Sequence, residues 1–335
     1  MKVYIKSISY YLPEKILTNE QIAKDFPEWT VEKIDKKIGI KERHVTREDE
    51  TASDLAVNAA ERLFLNHEID RSVVDYLIFV TQSADYYLPT TACLIQARLG
   101  LSNKITAFDV NLGCSGFVTG LSLAKAVILS GQAKNVLLLT AETYTKYLNN
   151  RDKSNRTIFG DGSAATLVST DGIAEIGEFV TGTDGNGAES LIVKTGGARH
   201  RAPLNDLQFD EFGNPRSSDN LYMDGPAILN YSLDSIPQLV VDVLEKNGLT
   251  MEEINLHVYH QANSFLANLE RRKLRIPEDR YYCNIEGVGN TVSSTIPIAL
   301  CMAMKDGLIK DGFNILSVAQ GLGYTWGGFT LKIKF

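Results

Sequence analysis

Short apolar runs alternate along this chain with longer stretches whose apolar residues recur at helical spacing. That alternation predicts an α/β protein. "TASDLAVNAAERLFLN" (51–66) opens on a threonine cap and reads as a helix. "VVDYLIFVTQS" (73–83) reads as a buried strand, and "TTACLIQARLG" (90–100) as a helix that stops at Gly100. The strand "ITAFDV" then leads into a helix that begins beside Cys114 and stops at Gly131. "KNVLLLTAE" (134–142) continues the sheet, 145–158 is polar and irregular, and "FGDGSAATLVST" (159–170) is a glycine turn followed by a strand.

The later half repeats this logic. A long helix is expected over 226–247, ending near Gly248, and "INLHVYHQAN" (254–263) reads as a strand running into a loop. Residues 281–307 repeat the form of 106–131: a strand, a glycine-bearing turn with one polar residue, then a helix ending at glycine. That polar residue is Cys114 in the first copy and Asn290 in the second. Two related halves are expected, 1–170 and 171–335, with equivalent helix N-termini facing one shared site. Between them, the polar stretch 196–222 is expected to be a surface loop or lid.

Composition narrows the class. Apolar residues make up 44% of the chain and charged residues 22%, in keeping with a soluble protein that buries a large core. No apolar run approaches the ~20 residues needed to span a bilayer. "MKVYIKSISYYLP" alternates like a strand and lacks the basic and apolar regions of a signal peptide. A net charge of −7 argues against a general nucleic-acid partner. Cys93, Cys114, Cys283 and Cys301 show no CxxC spacing, so neither zinc sites nor a disulfide framework is expected. Free thiols point to the cytoplasm.

Three residues could carry chemistry. Cys93, Cys283 and Cys301 fit as packing residues. Cys114 lies between Gly113 and Ser115–Gly116 at a strand-to-helix turn, where backbone N–H groups and the helix dipole lower a thiol's pKa. On local sequence it reads equally as packing residue and as nucleophile. Of the five histidines, His44, His67 and His200 sit in solvated contexts, while His257 and His260 fall on opposite faces of one strand. His260 is nearer the strand's C-terminal end, where α/β sheets place their sites. Asn290 follows a glycine, as helix caps and turn residues commonly do.

The motifs "GIKERH" (39–44), "LGCSGF" (112–117), "FGDG" (159–162), "HQAN" (260–263), "GNT" (289–291) and "GYTWGG" (323–328) occur in order over nearly the whole chain. With them the chain resembles the 3-oxoacyl-acyl-carrier-protein synthase III family, β-ketoacyl synthases of the thiolase superfamily. The resemblance implies a five-layer αβαβα fold, a homodimer and a catalytic triad falling on Cys114, His260 and Asn290. It implies a cytoplasmic acyltransferase of fatty-acid or polyketide biosynthesis that needs no metal or organic cofactor. Its partners would be acyl-CoA, a malonyl thioester and an acyl carrier protein. Cys114 would carry the acyl group, the backbone N–H groups of Cys114 and Leu322 would hold the oxyanion, and Asn263 would orient the site. Leu322 and Gly323, with Gln320 and Leu88, fall at the oxyanion and acyl pocket. Trp29, Lys37 and Lys153 fall at the CoA contacts.

The chain departs from the family's pattern at several of these positions. Lys37 and Lys153 stand where arginines are usual, and Pro226 replaces an asparagine that contacts the pantetheine arm. Gln320 replaces a phenylalanine that favours decarboxylation, and Leu322 a smaller residue. Leu88 replaces an aromatic residue that limits chain length across the dimer interface. Arg271, Arg272 and Lys273 in "LERRKLR" (269–275) supply a basic patch suited to an acidic carrier protein. Two alternatives stand beside condensation: acyl transfer to a non-malonyl nucleophile, and a non-catalytic partner subunit.

Overall fold

Strand β1 (Tyr4–Tyr11) lies at the middle of a mixed sheet that also contains β2 (Tyr76–Val80), β3 (Thr106–Val110), β4 (Asn135–Glu142) and β5 (Gly162–Ser169). The second half adds β6 (Ala174–Ile176), β7 (Leu256–His257), β8 (Asn314–Gly321) and β9 (Thr325–Ile333). The order is β7-β8-β9-β6-β1-β5-β4-β2-β3, and the short strand Val180–Thr183 pairs with β9. The computed structural model describes residues 1–211 and 213–335.

The two halves share one strand order. In the first, β2 runs parallel to both β3 and β4, while β5 is antiparallel to β4 and β1. In the second, β7 is parallel to β8, β9 is antiparallel to β8 and β6, and a parallel bridge joins His257 to Tyr281 beyond β7. Each half thus reads third-second-fourth-fifth-first, and the two join where β1 meets β6.

Side-chain alternation sets the layers. Leu77, Phe79, Leu137 and Leu139 pack outward against α1 (Ala52–Asn66) and α2 (Thr91–Arg98). Their neighbours Ile78, Val80, Val136 and Leu138 face inward, onto Phe117, Val118 and Leu121 of α3 (Gly116–Leu129). On the far side, Leu316 and Val318 pack against Ile236, Leu239 and Val243 of α4 (Gly225–Asn247), near α5 (Ser264–Lys273). Ile315 and Ala319 face the same central layer as α6 (Thr295–Lys305). The result is αβαβα, with α3 and α6 in the middle. The long helix α4 ends as expected: Gly248 takes φ +62° and caps it.

Four local expectations give way. The stretch 145–158 is not irregular; it holds a 3₁₀ turn at Tyr144–Tyr147 and a short helix at Lys153–Arg156. Asp152 caps that helix by accepting from the N–H groups of Ser154 and Asn155, so polar residues that look like loop are making local turns. The strand expected over 254–263 is regular only at Leu256–His257, although His260 N–H still bonds to Val318 O. Tyr281–Cys283 contributes only the single bridge. Within 196–222, Gln208–Phe209 pairs with Pro215–Arg216, and Tyr222–Met223 pairs with Leu191–Ile192; position 212 of that stretch lies outside the described residues.

Candidate active site

The turn after β3 places Cys114 two residues before α3, with its thiol half-buried. Both flanking glycines are forced by close approach. A Cβ at Gly113 would lie 2.5 Å from Gln82 Oε1 and 3.2 Å from Val292 Cγ1, and one at Gly116 would lie 2.5 Å from Val80 Cγ1. Val292 belongs to the turn that opens α6, so the N-termini of α3 and α6 meet here, as the repeat implied. The C-terminal loop closes the third side. Ser115 Oγ and Thr325 Oγ1 are 2.7 Å apart, and a Cβ at Gly321 would lie 3.1 Å from Ser115 N.

Cys114, His260 and Asn290 all line one cavity of about 260 Å³. Asn290 enters it with its amide already oriented. Its backbone N–H bonds to Ile158 O and its carbonyl accepts from Gly160 N–H, so the "FGDG" segment clamps the residue. Its Oδ1 accepts the Val292 N–H at 2.9 Å. Val292 holds φ +55° to offer that N–H, a strained conformation for a β-branched residue. With the oxygen engaged, the NH₂ end of Asn290 is left to donate.

His260 Nδ1 lies 2.7 Å from Thr295 Oγ1, at the first turn of α6. Burial lowers this imidazole to about 4, so it is neutral at physiological pH. His257 is also lowered to about 4, by burial and then by Arg280; it bonds to Tyr259 Oη and does not line the cavity.

The thiol differs from expectation. Burial first, then the carboxyl of Glu142, pushes Cys114 up to about 12, and its own backbone N–H opposes them only in part. Desolvation and a neighbouring acid therefore outweigh the one N–H that serves the sulfur. Glu142 ends β4 beneath the site, where it accepts from Ser83 Oγ and Ser293 Oγ, each at 2.9 Å, and from Gln82 N–H. Burial pushes it up to about 8. Sequence reasoning passed over Glu142, although a carboxylate at the C-terminal end of a sheet strand is a usable signal.

The remaining candidates divide. Gln320, Leu322, Asn263 and Lys37 line the cavity; Gly323 follows Leu322 but is not part of the lining. Among the described residues no backbone carbonyl accepts the Cys114 N–H or the Leu322 N–H. Asn263 Oδ1 caps α5 by accepting the Leu266 N–H at 2.8 Å. Lys37 Nζ sits 5.4 Å from the Trp29 ring, and Lys153 pairs with Glu28 at 3.0 Å. Leu88 does not reach this cavity: it is 86% exposed, beside exposed Tyr86 and Tyr87. Arg271 does not join a solvent-facing patch. It turns inward to bond Ile276 O, with its Nε buried and unpartnered, while Arg272 and Lys273 stay exposed.

Comparison with known proteins gives the family. Residues 108–185 match 3-oxoacyl-[acyl-carrier-protein] synthase III, and residues 244–333 match its C-terminal part. The β-ketoacyl-[acyl-carrier-protein] synthase III of Caldanaerobacter subterraneus subsp. tengcongensis is 35% identical, over 96% of this chain and 95% of its own. The chain belongs to the 3-oxoacyl-[acyl-carrier-protein] synthase III family. The synthase III of Campylobacter curvus is likewise 35% identical, over 99% of this chain and 97% of its own. A crystal structure of a 3-oxoacyl-(acyl-carrier-protein) synthase III superposes with a TM-score of 0.96 at 43% identity, covering 100% of both chains. The αβαβα architecture is the thiolase fold, and the chain is a condensing acyltransferase of this family. Among the described residues no helix is long and apolar enough to cross a membrane.

Proposed function

We propose that the chain joins an acyl group from acyl-CoA to a malonyl thioester with loss of CO₂. The observation that carries this reading is the meeting of Cys114, His260 and the donor end of Asn290 in one cavity. In the first half-reaction the Cys114 sulfur attacks the acyl carbonyl, CoA leaves, and the thiol proton ends on the departing CoA sulfur. The N–H groups of Cys114 and Leu322, which no backbone carbonyl accepts, are suited to hold the tetrahedral oxyanion.

In the second half-reaction the malonyl thioester carbonyl accepts from Asn290 Nδ2 and His260 Nε2. In this role the Thr295 hydroxyl donates to His260 Nδ1, so the neutral ring keeps its proton on Nε2. As the malonyl carboxylate leaves as CO₂, charge gathers on that carbonyl oxygen. The enolate carbon then attacks acyl-Cys114, giving a 3-oxoacyl thioester and expelling the Cys114 thiolate, which takes a proton from solvent. No metal or organic cofactor enters the scheme.

The extender is assigned to an acyl carrier protein, which would dock through the exposed Arg272 and Lys273 beside the cavity. CoA would enter past Lys37 and Trp29, with Lys153 near Glu28 at the same rim. A homodimer and a cytoplasmic location complete the reading, with exposed Leu88 and its two tyrosine neighbours meeting a second copy.

Intact-mass measurement after incubation with a series of acyl-CoAs tests the first step. One acyl adduct is expected on the wild type and none on Cys114→Ala. Adding malonyl carrier protein to the loaded enzyme should discharge the adduct as a 3-oxoacyl product with CO₂. Discharge to another nucleophile without CO₂ favours the acyl-transfer alternative, to which the polar Gln320 in the wall lends weight.

A further inference from the structure

The cavity has two wings of different chemistry. Cys114 shares one with Tyr144, Ile158, Phe159, Leu191 and Leu322, an apolar cluster. The other lies between α4 and α5, lined by Ser232, Ile236, Leu266, Glu270, Val318 and Gln320. Its walls are hydrocarbon except at one end, where Glu270, Ser232 and Gln320 meet.

Few hydrogens are available to Glu270 at that end. Ser232 Oγ lies 2.7 Å from Glu270 Oε1 and 2.5 Å from Gln320 Oε1. A hydroxyl has one hydrogen and cannot donate to both. The amide of Gln320 is oriented from its other end: Nε2 lies 2.6 Å from Ser235 Oγ, and the Ser235 hydrogen is given to Tyr231 O at 2.6 Å. Ser235 therefore accepts from Gln320 nitrogen, and Gln320 oxygen faces Ser232. Ser232 thus serves both Glu270 and Gln320 with a single hydrogen, which leaves the Glu270 carboxyl under-supplied with donors.

Burial raises Glu270 to about 7, and the Ser232 hydrogen bond opposes it only in part. Its surroundings supply no countercharge. Tyr259 and Tyr281 face it as un-ionised phenols, Cys283 lies close by, and Arg271 turns instead to Ile276 O and Glu278. Among the described residues no cation pairs with Glu270, and Ser232 is the one hydrogen-bond partner of its carboxyl. The second carboxyl oxygen is left as an acceptor in a cavity wall. Tyr231, which stacks on Tyr324, also lines the cavity and has its hydroxyl buried. A buried acid with one hydrogen-bond partner and no counter-ion costs stability, and a ligand can relieve that cost.

We propose that this wing is a subsite for an acyl chain bearing a hydrogen-bond donor, a hydroxyl or an amine, and that Glu270 selects it with Ser232 and Gln320. Ile236, Leu266 and Val318 accept the methylenes, and the free Glu270 oxygen accepts from the chain's donor group. A hydroxyl leaves the charge of Glu270 unchanged. An ammonium displaces any carboxyl proton to solvent and forms the ion pair that the wing lacks. The inference rests on Cys114 being the acyl carrier.

The test uses three acyl-CoAs of equal length, plain, terminally hydroxylated and terminally aminated, with kcat/KM for condensation and Cys114 loading by intact mass. The wild type should favour one of the donor-bearing chains over the plain chain by about tenfold or more. Glu270→Leu should abolish that preference while still loading the plain chain. Glu270→Gln should keep a preference for hydroxyl and lose one for amine, and Ser232→Ala supplies an independent, smaller loss of preference should Glu270→Leu fail to fold. Equal use of all three chains by the wild type, or a preference unchanged in Glu270→Leu or Ser232→Ala, overturns the subsite and leaves the acyl-carrier reading intact. No adduct with any chain overturns the acyl-carrier reading itself, and the subsite with it.

Discussion

His260 Nδ1 sits 2.7 Å from Thr295 Oγ1, which ties the imidazole of one half of the molecule to the first helical turn after Asn290. Thr295 Oγ1 is also 3.2 Å from Val292 O, so this hydroxyl can hand its single hydrogen either way. Its choice sets which ring nitrogen of His260 is protonated.

Thr295→Val should therefore spare acyl loading of Cys114 and slow the malonyl-dependent step by about tenfold or more. Thr295→Ser should restore that step. Single-turnover loading and CO₂ release, measured separately, check the split; equal losses in both steps would mean that Thr295 acts only on packing.

The raised thiol of Cys114 gives a signed pH dependence. With its pKa pushed up to about 12, the thiolate fraction is small at pH 7 and rises with each unit of pH. Alkylation of Cys114 by iodoacetamide should climb through pH 10 without a plateau. Glu142→Gln removes the nearest negative charge and should speed alkylation at pH 9. A plateau near pH 7 would show that the helix N-terminus prevails after all.

Glu142 also links stability to pH. Its carboxyl is raised from about 4.5 to about 8 in the fold, so the folded state binds the proton more tightly than the unfolded one. The stabilising contribution is fully present below about pH 4.5 and is lost as pH rises to about 8. The Tm of the wild type should fall across that window more steeply than the Tm of Glu142→Gln.

Gly116 leaves no room for a side chain, since its Cβ would press into Val80 Cγ1 at the start of α3. Gly116→Ala should lower stability by about 1–3 kcal/mol, the usual cost of overpacking, as read from denaturant midpoints.

Much of this was readable from the chain. The glycines around Cys114 and before Asn290 marked both turns, and the apolar period marked the helices behind them. What escaped depended on partners distant in sequence. The Cys114 thiol is governed by burial and by Glu142 from another strand, where local sequence offered only a helix N-terminus. "LERRKLR" reads as one charged face, yet Glu270 turns inward onto Ser232 of α4, and Arg271 folds back onto Ile276 O just past its own helix. Tyr281–Cys283 has strand composition but finds only one bridge, at the sheet's edge beyond β7.

The division of labour between Cys114 and the His260–Asn290 pair is tested most directly by CO₂ release from a carboxyl-labelled malonyl thioester on acyl-loaded Asn290→Asp. The substitution replaces the donor end of the amide, so the variant should hold a full acyl adduct on Cys114 while CO₂ release falls by about 10²–10³. Release at the wild-type rate, or an adduct lost together with release, would contradict it.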